Sequence, residues 1–236
     1  MPSLPPAINL ECYSDGDEGR LIIALHDVGR SSADLMEALR PIVPERQRVV
    51  APSLRGHGTS PTPPGPWSID DFASDVARLV TQEGGPAVMV GIGLGAATVL
   101  ALVLGHPGMV SGIVLAGIGP KAEEVEGRDR WMLLARGLRE RHGVGAEGIA
   151  LAAEAMATRP DWRGALGQVD VPVVVVAGSE DKASPPDLQR EFALWLRSTH
   201  LQVVEGAGHD IVRDAPEALV EAVRWLVHHG HESLLA

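Results

Sequence analysis

The chain has 236 residues, 45% of them apolar and 22% charged, enough to bury a substantial core within the range of one α/β domain spanning 1–236. Its formal net charge of -11, with no run of Lys or Arg, would repel a phosphate backbone or an anionic lipid surface, so neither nucleic acid nor a membrane is expected as partner and a small molecule is. Cys12 is the one cysteine and has no internal disulfide partner, no apolar run reaches the roughly 20 residues of a membrane span, and "MPSLPPAINL" lacks the basic and apolar regions of a signal peptide, so a cytoplasmic protein is expected.

Short apolar runs alternate with longer amphipathic ones, each closed by Gly, Pro, Asp or Ser, which is the pattern of repeated βαβ units. Strands are predicted over 8–13, 21–26, 49–52, 87–92, 113–116, 173–177 and 201–204. Most lack polar alternation, as expected of a parallel sheet covered on both faces. Ser68 stands three residues before Asp71 like a capping box, and Ile69, Phe72, Ala73, Val76, Leu79 and Val80 follow at helical spacing. Asp214 and Glu217 repeat that pattern ahead of Leu219, Val220, Val223, Leu226 and Val227, predicting a last docked helix. Between the strands near 116 and 171 no strand signal occurs. Two helices, 123–141 and 146–158, are predicted there, forming a small helical lid over 121–168.

The stretch "PAVMVGIGLGAATVL" decides the function class. Gly91, Gly93, Gly95 and Ala96 fit the dinucleotide fingerprint G-x-G-x-x-G/A, but that fingerprint should follow the first strand of its unit and be answered by an acidic residue about 20 positions later. Here the glycines follow the fourth predicted strand, and "VLAGIGPK" offers no carboxylate before Glu123. The alternative is a nucleophile elbow G-x-S-x-G with glycine at the serine position, where strand, sharp turn and helix meet too closely for side chains at 91 and 95. An elbow enzyme wants an acid after a later strand and a histidine after the last one. Asp181 in "VVVVAGSEDKASPP" and His209 in "VVEGAGHDIVRDAPE" stand at those places.

Four motifs in this order resemble the α/β-hydrolase family over nearly the whole chain. "ALHDVGRSS" resembles its HG loop, "APSLRGHGTS" its D-x-R-G-H-G-x-S signature with Ser53 where an aspartate is usual, and "AGSEDKASPP" and "GAGHDIVRDAPE" its acid and histidine loops. The resemblance implies a mostly parallel sheet flanked by helices with a small helical lid, and an ester or lactone hydrolase lineage. It also implies that the N–H groups of Val28 and Leu94 form an oxyanion hole and that Asp181 orients His209. With Gly93 at the nucleophile position there is no hydroxyl to acylate, so serine-hydrolase turnover is expected to fall by on the order of 10³ or more.

Three functions stay open on these residues: a silenced ester or lactone hydrolase, a non-hydrolytic enzyme (lyase, cyclase, decarboxylase or cofactor-free oxygenase) using His209 and Asp181 as general base, and a binding protein with a vestigial site. His26, Asp27, Trp131 and Leu134 are assigned to the substrate pocket, with His26 and His57 shaping its wall. Asp27 replaces the usual glycine of its loop, and its carboxylate opposes a developing anion unless it points away. Met132 and Leu133 either line an apolar pocket or pack the lid. His228, His229 and His231 in "HHGH" lack a carboxylate or cysteine partner, so no metal is expected, and no cofactor.

Overall fold

A computed structural model describes residues 8–142 and 146–229. Seven strands form one sheet: β1 (Cys12–Asp15), β2 (Arg20–Leu25), β3 (Gln47–Pro52), β4 (Ala87–Ile92), β5 (Val110–Ala116), β6 (Val173–Gly178) and β7 (Thr199–Val204), in the order β1-β3-β2-β4-β5-β6-β7. β1 runs antiparallel to β3 and every other neighbouring pair is parallel. The first strand was expected over 8–13. It forms instead at the exposed edge, later in the chain, where Cys12 pairs with Pro52 and Asp15 with Val49.

Residue parity within the central strands explains why their sequences lack polar alternation. Ile23, Leu25, Met89, Ile113 and Val175 face α2 (Ile69–Gln82), α3 (Leu94–Gly105) and α6 (Pro186–Trp195), whose Phe72, Val76, Leu100 and Phe192 complete one core. Ile22, Ala24, Val90, Val114 and Val174 face α1 (Ser32–Leu39) and α8 (Pro216–His229), whose Leu35, Leu39, Leu219 and Val223 complete the other. Both faces are buried, so both parities must be apolar.

Helix starts follow local chemistry. The Ser68 N–H donates to Asp71 Oδ2 at 2.9 Å, one half of the expected capping box. Asp214 behaves differently from its expected capping role. It ends a separate short helix, α7 (Ile211–Asp214), and its Oδ2 accepts the Gly208 N–H at 3.0 Å, bracing the histidine loop. Between β5 and β6, α4 (Val125–His142) and α5 (Glu147–Ala157) pack as a hairpin close to the two predicted helices. Arg139 on α4 ties them by donating to both oxygens of Glu147, at 2.8 and 2.9 Å, and to Glu154. Among the described residues, no helix is long and apolar enough to cross a membrane.

Candidate active site

Loops at the carboxyl ends of β2, β4, β6 and β7 converge, the place where parallel sheets of this kind offer a crevice. Gly93, between β4 and α3, has φ 52° and ψ -110°, a conformation that strains any residue with a Cβ, and its N–H donates to the Ala116 carbonyl at 3.0 Å. The flanking glycines are needed for close approach. A Cβ on Gly95 would overlap the Leu25 carbonyl, and one on Gly91 would come within 2.7 Å of the Ala96 backbone.

Asp27 follows β2, and its side chain turns inward. Oδ1 accepts the Val28 N–H at 2.7 Å and the Leu94 N–H at 2.8 Å, so the two donors expected to hold a substrate oxyanion both hold this carboxylate. A Cβ built on Gly93 would overlap the same carboxyl group. Asp27 thus occupies both the pair of N–H donors expected to form an oxyanion hole and the volume that a Cβ at position 93 would take.

Two buried histidines fix the Asp27 backbone from below. His26 Nδ1–H donates to the Asp27 carbonyl at 2.8 Å while Nε2 accepts the Leu54 N–H at 3.0 Å; His57 Nε2 accepts the Gly29 N–H at 3.0 Å. Those bonds require neutral rings. Burial, reinforced by the facing His57, lowers His26 to about 4, and burial lowers His57 as well. His26 was expected in the substrate pocket with Trp131 and Leu134. It is instead a buried brace whose ring borders a different cavity, because the strand end turns it beneath the loop.

His209 Nδ1–H donates to Asp181 Oδ2 at 2.9 Å, and Asp181 Oδ1 accepts the N–H groups of Ala183 and Ser184, both at 2.8 Å. Burial pushes the Asp181 carboxyl up, but the His209 bond and these two N–H groups outweigh it and hold it below the ordinary aspartate value. On its other side His209 Nε2 lies 3.7 Å from Asp27 Oδ2. The Asp181 hydrogen bond first, and the Asp27 carboxylate second, push His209 up to about 10. The resting centre is therefore carboxylate, imidazolium, carboxylate. In an NMR titration the His209 ring should stay protonated well past neutrality and titrate lower in Asp27→Asn; a midpoint near the ordinary histidine value in both proteins would contradict this.

The site opens into a cavity of about 890 Å³ beneath α4, lined by Asp27, Gly93, Trp131, Leu134, Lys182 and His209. Met132 and Leu133 point outward and are exposed. A second cavity, about 740 Å³ between α1 and α8, reaches Asp27 and His209 from the other side past Leu35, Ile92 and Val220. Periodicity gave no sign of it. Also missed was Glu11, whose Oε2 accepts from Ser53 Oγ at 2.8 Å and from the Thr59 N–H at 3.0 Å, so that a neighbouring segment supplies a carboxylate beside Ser53, the position where the motif usually has an aspartate. Glu11, the residue immediately before Cys12, was not part of the motif and carried no local signal. Among the described residues, no cluster of three His, Cys, Asp or Glu stands ready to hold a metal ion; His231 and the His229 side chain lie outside what is described.

The family model described as the alpha/beta hydrolase family matches residues 22–222, and the chain belongs to that family. It is similar to 3-oxoadipate enol-lactonase 2 of Acinetobacter baylyi, with 25% identity over 251 residues covering 92% of this chain and 91% of that protein. A thermophilic esterase from Thermogutta terrifontis superposes with a TM-score of 0.88 at 23% identity over 95% of this chain and 94% of that one. The enol-lactonase from Burkholderia xenovorans LB400 does so with a TM-score of 0.83 at 22% identity over 94% and 97%. Its relatives thus include ester and lactone hydrolases, and the likeness of the two solved structures carries the fold alone.

Proposed function

We propose that the protein is a small-molecule enzyme of ester and lactone hydrolase lineage in which serine acyl transfer is silent and Asp27, His209 and Asp181 are the working groups, with the α4–α5 hairpin as lid over the substrate cavity. The observation that carries this is the Asp27 carboxylate on both the Val28 and Leu94 N–H groups beside a glycine elbow. A substrate carbonyl has neither a hydroxyl to attack it nor a free pair of donors for its oxygen, and those donors supply much of the stabilisation in acyl transfer. A general-base role for the His209–Asp181 pair is less favoured, since an imidazolium held between two carboxylates has no lone pair to accept a proton. A purely ligand-binding role draws support from the cavity but leaves the charged triad unexplained. The test is to treat the unaltered protein with a fluorophosphonate probe and with short-chain nitrophenyl esters. No covalent label and no turnover above solvent rate are expected, and labelling that depends on His209 would overturn the proposal.

A further inference from the structure

We propose that Asp27 is itself a nucleophile, and that its electrophile is a saturated carbon bearing a leaving group that departs as an anion, as in a primary alkyl bromide or alkyl sulfonate. This rests on the reading above that serine acyl transfer is silent.

The two oxygens of Asp27 have different tasks. Oδ1 is held by Val28 and Leu94 at 2.7 and 2.8 Å, so any reaction that needs those donors for a substrate oxygen is excluded while Asp27 stays in place. Substitution at a saturated carbon needs no such donors. Oδ2 is not tied to them; it stands 3.7 Å from His209 Nε2, and Asp27 borders the cavity beneath α4. In the first step a lone pair of Oδ2 forms a bond to carbon, and the bond from carbon to the leaving group breaks with its electron pair going to the leaving anion. Arg130 and Lys182 stand on that cavity's wall, among Glu123, Glu124 and Glu126.

The product of that step is an alkyl ester of Asp27 whose carbonyl oxygen is Oδ1, already seated between two backbone donors. Addition of water to Cγ then builds negative charge on that oxygen, which is where preorganised donors accelerate hydrolysis. Alkylation also removes one of the two carboxylate charges that hold the His209 proton. His209 releases that proton to solvent, takes one from water as the water attacks Cγ, and delivers it to the departing alcohol. The new carboxyl group of Asp27 returns its proton to His209, restoring the resting state. The sum is alkyl–X plus water giving alcohol, a proton and X⁻. Gly93 is required by the same geometry, because a side chain there would overlap the attacking carboxyl group.

The test uses the full chain and a series of straight-chain primary alkyl bromides. Bromide release is expected, falling on the order of 10³-fold or more in Asp27→Asn. In His209→Gln the ester should accumulate, and peptide mapping of the protein treated with 1-bromohexane should place a hexyl group on Asp27. After a single turnover of the unaltered protein in ¹⁸O-water, the heavy oxygen should appear in the Asp27 carboxyl and the alcohol should be unlabelled. Heavy oxygen in the alcohol alone would overturn the proposal, as would a folded His209→Gln protein without an Asp27 adduct together with no bromide release by the unaltered chain. Failure here with no fluorophosphonate labelling overturns this inference alone. Fluorophosphonate labelling of the unaltered chain overturns the reading on which it rests.

Discussion

Gly93→Ser alone will leave the protein unlabelled by a fluorophosphonate, whereas Gly93→Ser combined with Asp27→Gly will label and will hydrolyse nitrophenyl esters at least about 10³-fold faster than the single variant. The single variant brings a Cβ into the volume of the Asp27 carboxyl group and leaves the Val28 and Leu94 donors occupied. It also places a Cβ at φ 52° and ψ -110°, a strain of roughly 1 to 3 kcal/mol. Removing the Asp27 side chain does three things at once. It clears room for the hydroxyl, frees two N–H groups for an oxyanion, and takes away one of the charges that keep His209 protonated, so that the ring can act as base. Gel labelling and a burst of nitrophenol report the outcome. Equal labelling of the single and double variants would show that Asp27 does not block the elbow.

That expectation rests on a pairing that neither position reveals by itself. In the sequence, Asp27 and Gly93 are two separate departures from the α/β-hydrolase pattern, 66 residues apart, and each reads as a loss of hydrolytic chemistry. In three dimensions they meet: the Asp27 carboxyl group occupies the volume that a Cβ at position 93 would take. The complementary sizes were the available signal, but only the register that sets Leu25 beside Gly91 brings β2 and β4 together and makes them neighbours. By contrast, the elbow glycines, the Asp181 turn and the His209 loop were legible because each depends on local chain geometry at a strand end. The sheet was legible for the same reason, since burial of both faces writes itself into every residue of β4 and β6. Asp214 and Glu11 were not, because the direction a surface-sequence carboxylate takes is set by which distant N–H groups lack partners.

Acid will weaken this fold between pH 6.5 and about 4 through His26. The ring is buried, its Nε2 accepts the Leu54 N–H and its Nδ1–H is committed to the Asp27 carbonyl, so a second proton has to break the Leu54 bond. A histidine whose native value is lowered contributes its full stability above the unfolded value and loses it as pH falls toward the native one. The shift from 6.5 to about 4 corresponds to about 3 kcal/mol for this one group. His57, lowered by burial as well, adds to the same limb, and its loss frees the Gly29 N–H on the other side of the Asp27 loop. Denaturant unfolding at pH 7, 5.5 and 4.5 measures the effect. His26→Gln should be less stable at pH 7 yet lose less on acidification, because it cannot take up the proton; an equal loss in both proteins would assign the acid limb to other groups. The loop that carries Asp27 is the segment these two rings hold, so activity at the centre should fall along the same limb, ahead of global unfolding.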